Sequence, residues 1–297
     1  KTKLEKKKYN SILVHIKDGL WEAIYKNKRT EINKKDFSFT FEDRNYYFDL
    51  AFMALHGPPA ENGIIQSYLD KIGLPYTSCG AKESALTFDK HKCNDTLKRM
   101  GFTCPKSYFY SKGETINADK IIQKVGLPCF VKPNAAGSSF GVNKVSNKSK
   151  LIFAINEALK HDTEVLIEQF IEGTEVSCGI FKHNQIEILP ITEIVSHNEF
   201  FDYEAKYQGL SDEITPARIS AKETQKVQNT TKEIYQKLNL SGIVRIDYII
   251  MQGIPYLIEI NTIPGLSEES IIPKQAKKAG YKLSEFFEIT IENTINK

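Results

Sequence analysis

Nothing in these 297 residues is apolar for long enough to span a bilayer. The longest apolar runs, such as Tyr248–Met251, are strand-sized. Residues Lys1–Lys8 are basic and polar with no apolar run behind them, which excludes a secretory-signal reading. No CxxC spacing occurs. The five cysteines, at 79, 93, 104, 129 and 178, are odd in number, so neither a disulfide framework nor a zinc site is indicated. Reduced thiols of a cytoplasmic protein are expected. A broad basic stripe is also missing. Lys6-Lys7-Lys8 reads as a solvated terminus, and no nucleic-acid or membrane partner is expected. Repeats and low-complexity stretches are absent. The chain opens on Lys1, and no helix precedes its first apolar run, Ser11–Ile16, so part of the natural N-terminus is expected to be missing. What is present is ordinary globular composition, 41% hydrophobic and 26% charged, at a length that suits two or three domains.

Residues 1–80 read as a small α/β unit with strands at Ile12–Ile16, Phe37–Phe41, Asp49–Leu55 and Pro75–Ser78. Ile64, Ile65, Tyr68, Leu69 and Ile72 recur at helical spacing, and Gly73 then Pro75 stop that helix. Further helices are expected over Ser84–Met100 and Ala118–Val125. Residues 129–170 read as strand, glycine-rich loop, strand, helix, strand. Strands at Glu175–Phe181 and Ile186–Ile194 follow, then a long loop around Phe200–Pro216 and a helix over Ala221–Leu238. A hairpin and two closing helices end the chain.

The chemistry concentrates in five segments. In the hairpin, Arg245 and Asp247 share one strand face, and so do Glu259 and Asn261. A symmetric register about Gly253 sets Asp247 opposite Glu259 and Arg245 opposite Asn261. Directly opposed carboxylates repel unless a cation lies between them, and oxygen ligands suit Mg²⁺. The competing reading is a solvated sheet face on which Arg245 neutralises Asp247. In the second segment Lys132 ends an apolar strand before Pro-Asn-Ala-Ala-Gly137-Ser138-Ser-Phe-Gly141, a small hydroxyl-rich loop. Its backbone N–H groups could wrap phosphate oxygens, although it lacks the GK[ST] of a Walker loop and reads equally as a plain hairpin. Third, Glu168 closes a strand and Glu175 opens the next, positions suited to an adenine amino group or ribose hydroxyls, or to open solvent. Fourth, Phe200–Tyr207 is an aromatic, charged stretch in a long loop, which suits a lid or a packed loop. Fifth, His56 ends a strand, and Glu61 or Asn62 reads as a helix cap or a polar turn residue.

Taken in order, these segments resemble the D-alanine–D-alanine ligase family of ATP-grasp enzymes from about Asp49 to the C-terminus. The resemblance rests on HG-x-x-x-E at 56–61, VKP-x-x-x-GSS-x-G at 131–141, E-x-F-x-x-G-x-E at 168–175, FDYEAKY at 201–207, R-x-D at 245–247 and E-x-NT-x-PG at 259–265. It implies an α/β and α+β chain with the ATP-grasp fold. An incomplete N-terminal α/β substrate-side domain (1–83) would precede two α+β subdomains (84–170 and 171–297) that sandwich the nucleotide. It implies ATP with two Mg²⁺ ions (Mn²⁺ able to replace them), two molecules of D-alanine, a homodimer and a place in peptidoglycan precursor synthesis. Asp247, Glu259 and Asn261 would hold the metal. Lys90, Lys132 and Lys206 would contact phosphates, and Glu168, Phe170 and Glu175 the nucleoside. Arg245 would stabilise the acyl phosphate and tetrahedral intermediate, and Ser138 and Tyr207 would close the lid. His56 and Glu61 would position the first D-alanine, and Ser270, beside Gly265, the carboxylate of the second. The chain departs from the pattern in lacking the family's opening GG-x-S-x-E segment, in Ala60 for glycine and Asn62 for aspartate, and in Leu266-Ser-Glu-Glu-Ser270 for M-T-x-x-S. These departures bear on the substrate pocket more than on the nucleotide site. D-alanyl-D-lactate or D-alanyl-D-serine formation, and a decayed nucleotide-binding protein, are the alternatives. Tyr207 after Lys206 accompanies dipeptide formation in the family.

Overall fold

A computed structural model describes residues 4, 8–17, 19–137, 141–196 and 211–296. The N-terminal part is built on tight hairpins. β1 (Leu13–Lys17), β2 (Leu20–Tyr25) and β3 (Lys28–Glu31) form an antiparallel meander, and β4 (Phe39–Phe41) pairs with β5 (Arg44–Tyr46). Two of the turns, Lys26-Asn27 and Glu42-Asp43, hold both central residues at positive φ. That geometry matches strand twist and usually recruits glycine, so the pairs gave no turn signal and β2, β3 and β5 were not expected. Helix α1 (Ile64–Ile72) packs Ile65 and Leu69 onto Ala23, Ile32 and Phe39, and ends on Gly73 at φ 71 as its sequence dictates. The strand expected over Asp49–Leu55 is not formed. Only Ala51 bridges Tyr76, and Met53 N–H donates to the Thr77 hydroxyl instead of to a neighbouring strand. His56 therefore ends no strand.

The helix expected over Ser84–Met100 is two helices, α2 (Ala81–Phe88) and α3 (Lys90–Arg99), broken at Asp89, whose backbone is extended. A four-stranded antiparallel sheet follows in the order β6 (Ser107–Ser111), β9 (Glu164–Gln169), β7 (Cys129–Pro133), β8 (Asn143–Val145). Helices α4 (Ala118–Val125) and α5 (Leu151–Ala158) cover one face of it with Ile121, Leu151 and Ile155.

The C-terminal sheet is also antiparallel, ordered β13 (Ser211–Ile214), β12 (Thr192–Ser196), β10 (Thr174–Lys182), β14 (Val244–Met251), β15 (Ile254–Asn261). The strand expected over Ile186–Ile194 is interrupted at Pro190, which has no N–H for a ladder, so a short β11 (Ile186–Ile188) pairs with β10 and β12 starts afresh. Helix α6 (Ala221–Lys237) begins in a capping box of Ser220 and Glu223 and buries Val227, Ile234 and Tyr235 against β10 and β14. Cys93 and Leu97 of α3 join that same core. Helices α7 (Ile271–Lys278) and α8 (Leu283–Ile295) add Ile272, Ala276 and Phe286 around Phe181. Strand β14 alternates strictly. Val244, Ile246, Tyr248 and Ile250 are buried, while Arg245, Asp247 and Ile249 turn to a cleft between the two larger sheets. Among the described residues no helix is long and apolar enough to cross a membrane.

Candidate functional site

The cleft, about 490 Å³, is walled by β14 and β15 on one side and by β7 and β9 on the other. The register of its first wall comes from two irregularities. The hairpin turns on Gln252-Gly253, both at positive φ, so Met251 pairs with Ile254 rather than being centred on Gly253. Continued unbroken, that register would face Asp247 with Ile258. A bulge between Asp247 and Tyr248 shifts it by one residue, and Asp247 pairs with Glu259 and Arg245 with Asn261. The expected pairing is present, but the expected turn centre is not.

Four donor groups converge on Asp247. Arg245 reaches both oxygens, Nε at 2.9 Å from Oδ1 and Nη2 at 2.9 Å from Oδ2. Asn261 Nδ2 donates to Oδ2 at 3.1 Å, and the Ser177 hydroxyl donates to Oδ1. Burial alone would lower the Arg245 pKa, but the adjacent Asp247 outweighs it, and the guanidinium is held charged. Arg245 thus does neutralise Asp247, as the competing sequence reading had it, yet the face lines a cleft and is not an open surface. No cluster of three or more His, Cys, Asp or Glu suited to a metal occurs among the described residues. A cation here would instead use two carboxylates and one amide oxygen. Asp247 and Glu259 in direct cross-strand opposition, with Asn261 beside them, fit a hard divalent ion.

The opposite wall is cationic and aromatic. Lys132 Nζ lies 2.5 Å from Glu168 Oε2, with both side chains buried, and Asn94 Nδ2 donates to Glu168 Oε1 at 2.6 Å. Both oxygens of Glu168 thus accept from protein donors. Lys90 Nζ donates to the Ala136 carbonyl at 2.6 Å. Phe170 packs against Phe130 at 5.8 Å between ring centroids, with the Lys144 ammonium 4.6 Å from its ring. Glu175 also lines this space.

Of the remaining expected residues, Glu61 and Ser270 adjoin cleft-lining segments, Glu61 through the Ala136-Gly137 loop and Ser270 through its chain neighbour Ile271. His56 Nδ1 is 3.7 Å from Glu61 Oε1, and Glu61 Oε2 lies 3.3 Å from where a Cβ on Gly137 would be, so Glu61 touches the loop after Lys132. Glu61 does not cap α1, whereas Asn62 serves its first N–H from one position before the cap. The cap is Gly63, with no side-chain hydrogen bond, and Asn62 Oδ1 accepts from Ile64 N–H at 3.3 Å. Gly265 and Ser270 are in contact, a Cβ on Gly265 falling 2.6 Å from Ser270 Oγ, which shares a 2.7 Å hydrogen bond with Ser267. His56, Glu61, Gly265 and Ser270 do not line the cleft itself. Ser138, Lys206 and Tyr207 lie outside the described residues. Sequence reasoning passed over Ser177, Asn94 and Asn134. The first two were legible in principle, Ser177 two positions after Glu175 on one strand face and Asn94 one helical turn after Lys90.

Comparison with known proteins places this arrangement. Residues 97–292 match the family model of the D-Ala D-Ala ligase C-terminus. The D-alanine–D-alanine ligase of Flavobacterium johnsoniae is 50% identical over 291 residues, 97% of this chain and 90% of that protein. Among solved structures, the VanG D-Ala:D-Ser ligase of Enterococcus faecalis superposes with a TM-score of 0.87 at 30% identity, covering 98% of this chain and 91% of that one. The D-alanine–D-alanine ligase of Bacillus anthracis complexed with ATP gives 0.74 at 32% identity, with 84% and 80% covered. With half its residues shared with a relative it spans almost end to end, and with the same fold in the solved ligases, this chain belongs to the D-alanine–D-alanine ligase family of ATP-grasp enzymes.

Proposed function

We propose that the chain phosphorylates the carboxylate of one D-alanine with ATP and joins it to the amine of a second, making D-alanyl-D-alanine for peptidoglycan precursors. The observation that carries this reading is one cleft with Lys90 and Lys132 on one wall and Arg245, Asp247 and Glu259 on the other, with Asn261 bonded to Asp247. The ATP held by the Bacillus anthracis relative supports the choice of nucleotide.

A carboxylate is a poor electrophile, because attack on it drives electrons onto an anionic group. Phosphorylation supplies a leaving group, and the transfer itself needs positioning and charge neutralisation. Lys90 and Lys132 contact the phosphates, Phe170 packs on the base, and Glu168 and Glu175 face the adenine and ribose. Asp247, Glu259 and Asn261 would hold two Mg²⁺ ions, which when bound neutralise charge on the phosphate oxygens. Arg245, kept charged by Asp247, donates to the oxyanion that forms when the amine attacks. His56 and Glu61 orient the first D-alanine, and Ser270 receives the carboxylate of the second. Lys206 is a third phosphate contact, and Ser138 and Tyr207 belong to the lid that shields the acyl phosphate from water.

Phosphate release from Mg–ATP, measured with D-alanine and with L-alanine as control, tests the reading. Release that requires D-alanine is expected. Release without it, or none from a chain that binds ATP, overturns the proposal. The likeness to a D-Ala:D-Ser ligase favours a second reading of the acceptor, which competition between D-alanine and D-serine decides.

A further inference from the structure

Helix α3 starts abruptly after the extended Asp89, with φ −80 and ψ 97. A helix start leaves its first N–H groups without intrahelical acceptors. Asp89 Oδ1 accepts that of Lys92, at 3.0 Å. The other two go to one residue on a different element. Lys90 N–H donates to the backbone carbonyl of Asn134 at 3.3 Å, and His91 N–H donates to its Oδ1 at 2.8 Å. The Asn134 amide returns both of its protons, to Asp89 Oδ1 at 2.9 Å and to Glu164 Oε2 at 3.0 Å. Its backbone N–H donates to the Glu164 carbonyl at 2.9 Å. Asn134 is only 1% exposed, so water does not compete for these bonds.

Asn134 follows Lys132-Pro133, and two residues later the Ala136 carbonyl receives Lys90 Nζ. One buried side chain thus ties the helix that opens on Lys90 to the strand that ends beside Lys132. We propose that Asn134 is a positioning residue for the nucleotide phosphates: it caps α3 from outside the helix and so sets Lys90 against Lys132. This rests on the reading of both lysines as phosphate ligands.

The chemistry of the position is narrow. It needs an acceptor for His91 N–H together with two donors for two carboxylates, and only a carboxamide carries both. An aspartate keeps the acceptor but sets a third carboxylate against Asp89 and Glu164. Alanine leaves the His91 N–H and both carboxylates short of partners. The Asp89 carboxyl already registers the contact. Burial pushes its pKa up, but hydrogen bonds from Lys92 and Asn134 outweigh that and hold it below the usual carboxylate range.

The test is calorimetric titration of the full chain with ATP and with adenosine, comparing the parent with Asn134→Ala and Asn134→Asp. Misplaced lysines should weaken ATP about tenfold and leave adenosine within about twofold, since adenosine carries no phosphate. The reciprocal pair Asp89→Asn with Asn134→Asp exchanges donor and acceptor and should recover part of the loss seen in Asn134→Asp alone. Equal weakening of ATP and adenosine indicates a merely structural role and overturns the proposal. So does unchanged ATP affinity, or a double variant no better than the single one. Failure of the parent itself to bind ATP removes the underlying reading of the site, and this proposal falls with it.

Discussion

Replacing Asp247 by asparagine removes one charge and almost no volume. The parent carboxylate accepts from Arg245 Nε and Nη2, from Asn261 Nδ2 and from the Ser177 hydroxyl. An asparagine keeps one oxygen for Ser177 and Arg245 Nε, but its amide N–H groups then face Arg245 Nη2 and Asn261. Asn261 can turn its own amide over, whereas Arg245 has only donors. Breaking a fully buried ion pair from one side costs about 3–5 kcal/mol. The two side chains here keep 19% and 15% of their exposure, so about 2–3 kcal/mol is expected for Asp247→Asn. Urea unfolding at neutral pH without nucleotide measures it. The cycle is completed by Arg245→Met and the double variant, for which the coupling should be about 2 kcal/mol, since removing both partners leaves no stranded charge. A loss under about 0.5 kcal/mol, or two losses that simply add, refutes the assignment of the pair as mutually stabilising. In the same preparations Asp247→Asn should have no ATP turnover while remaining folded. Retained turnover would sink the metal role of Asp247.

A methyl group on Gly265 would lie 2.6 Å from Ser270 Oγ, so Gly265→Ala should rotate that hydroxyl off Ser267. The KM for D-alanine should rise about tenfold with the KM for ATP within about twofold, and an unchanged D-alanine KM refutes the placement of Ser270. Hydrogen bonds from Arg218 outweigh burial and hold the Glu193 carboxyl below its ordinary range. A depressed folded pKa contributes stability above the unfolded pKa and loses it as pH falls through the folded value. Between about pH 4.5 and pH 3 the parent should therefore lose more in its urea midpoint than Glu193→Gln, and parallel losses would refute it. Burial pushes the thiols of Cys93, Cys104 and Cys178 up to about 12 and that of Cys129 to about 11. Brief iodoacetamide treatment at about pH 8 should leave these four unmodified in the native chain and labelled in urea. Rapid native labelling of Cys93 or Cys178, read by mass spectrometry, would show that the cores around them are open.

Where local pattern governs, sequence and structure agree. Alternation in Val244–Ile250 settles which face of β14 is buried and which carries Arg245 and Asp247, because side chains on a strand can only alternate. Gly73 and Gly126 end their helices because they alone adopt the required positive φ cheaply. The ordered motifs carried the family. Where partners distant in sequence govern, local pattern was silent. The helix break at Asp89 depends on Asn134, forty-odd positions on, which accepts the Lys90 N–H on its backbone carbonyl and the His91 N–H on its side-chain oxygen. The β2–β3 and β4–β5 hairpins turn on Lys-Asn and Glu-Asp pairs whose left-handed backbone is carried by the aromatic core beneath. In the sequence, a turn centred on Gly253 implies the opposition of Asp247 and Glu259. In the folded chain a two-residue turn and a bulge offset one another to give the same pairing. Residue order determined which groups share a face, because periodicity is a property of one strand. Only the tertiary structure decided which group each one meets, because register and hydrogen-bond partners are set between strands.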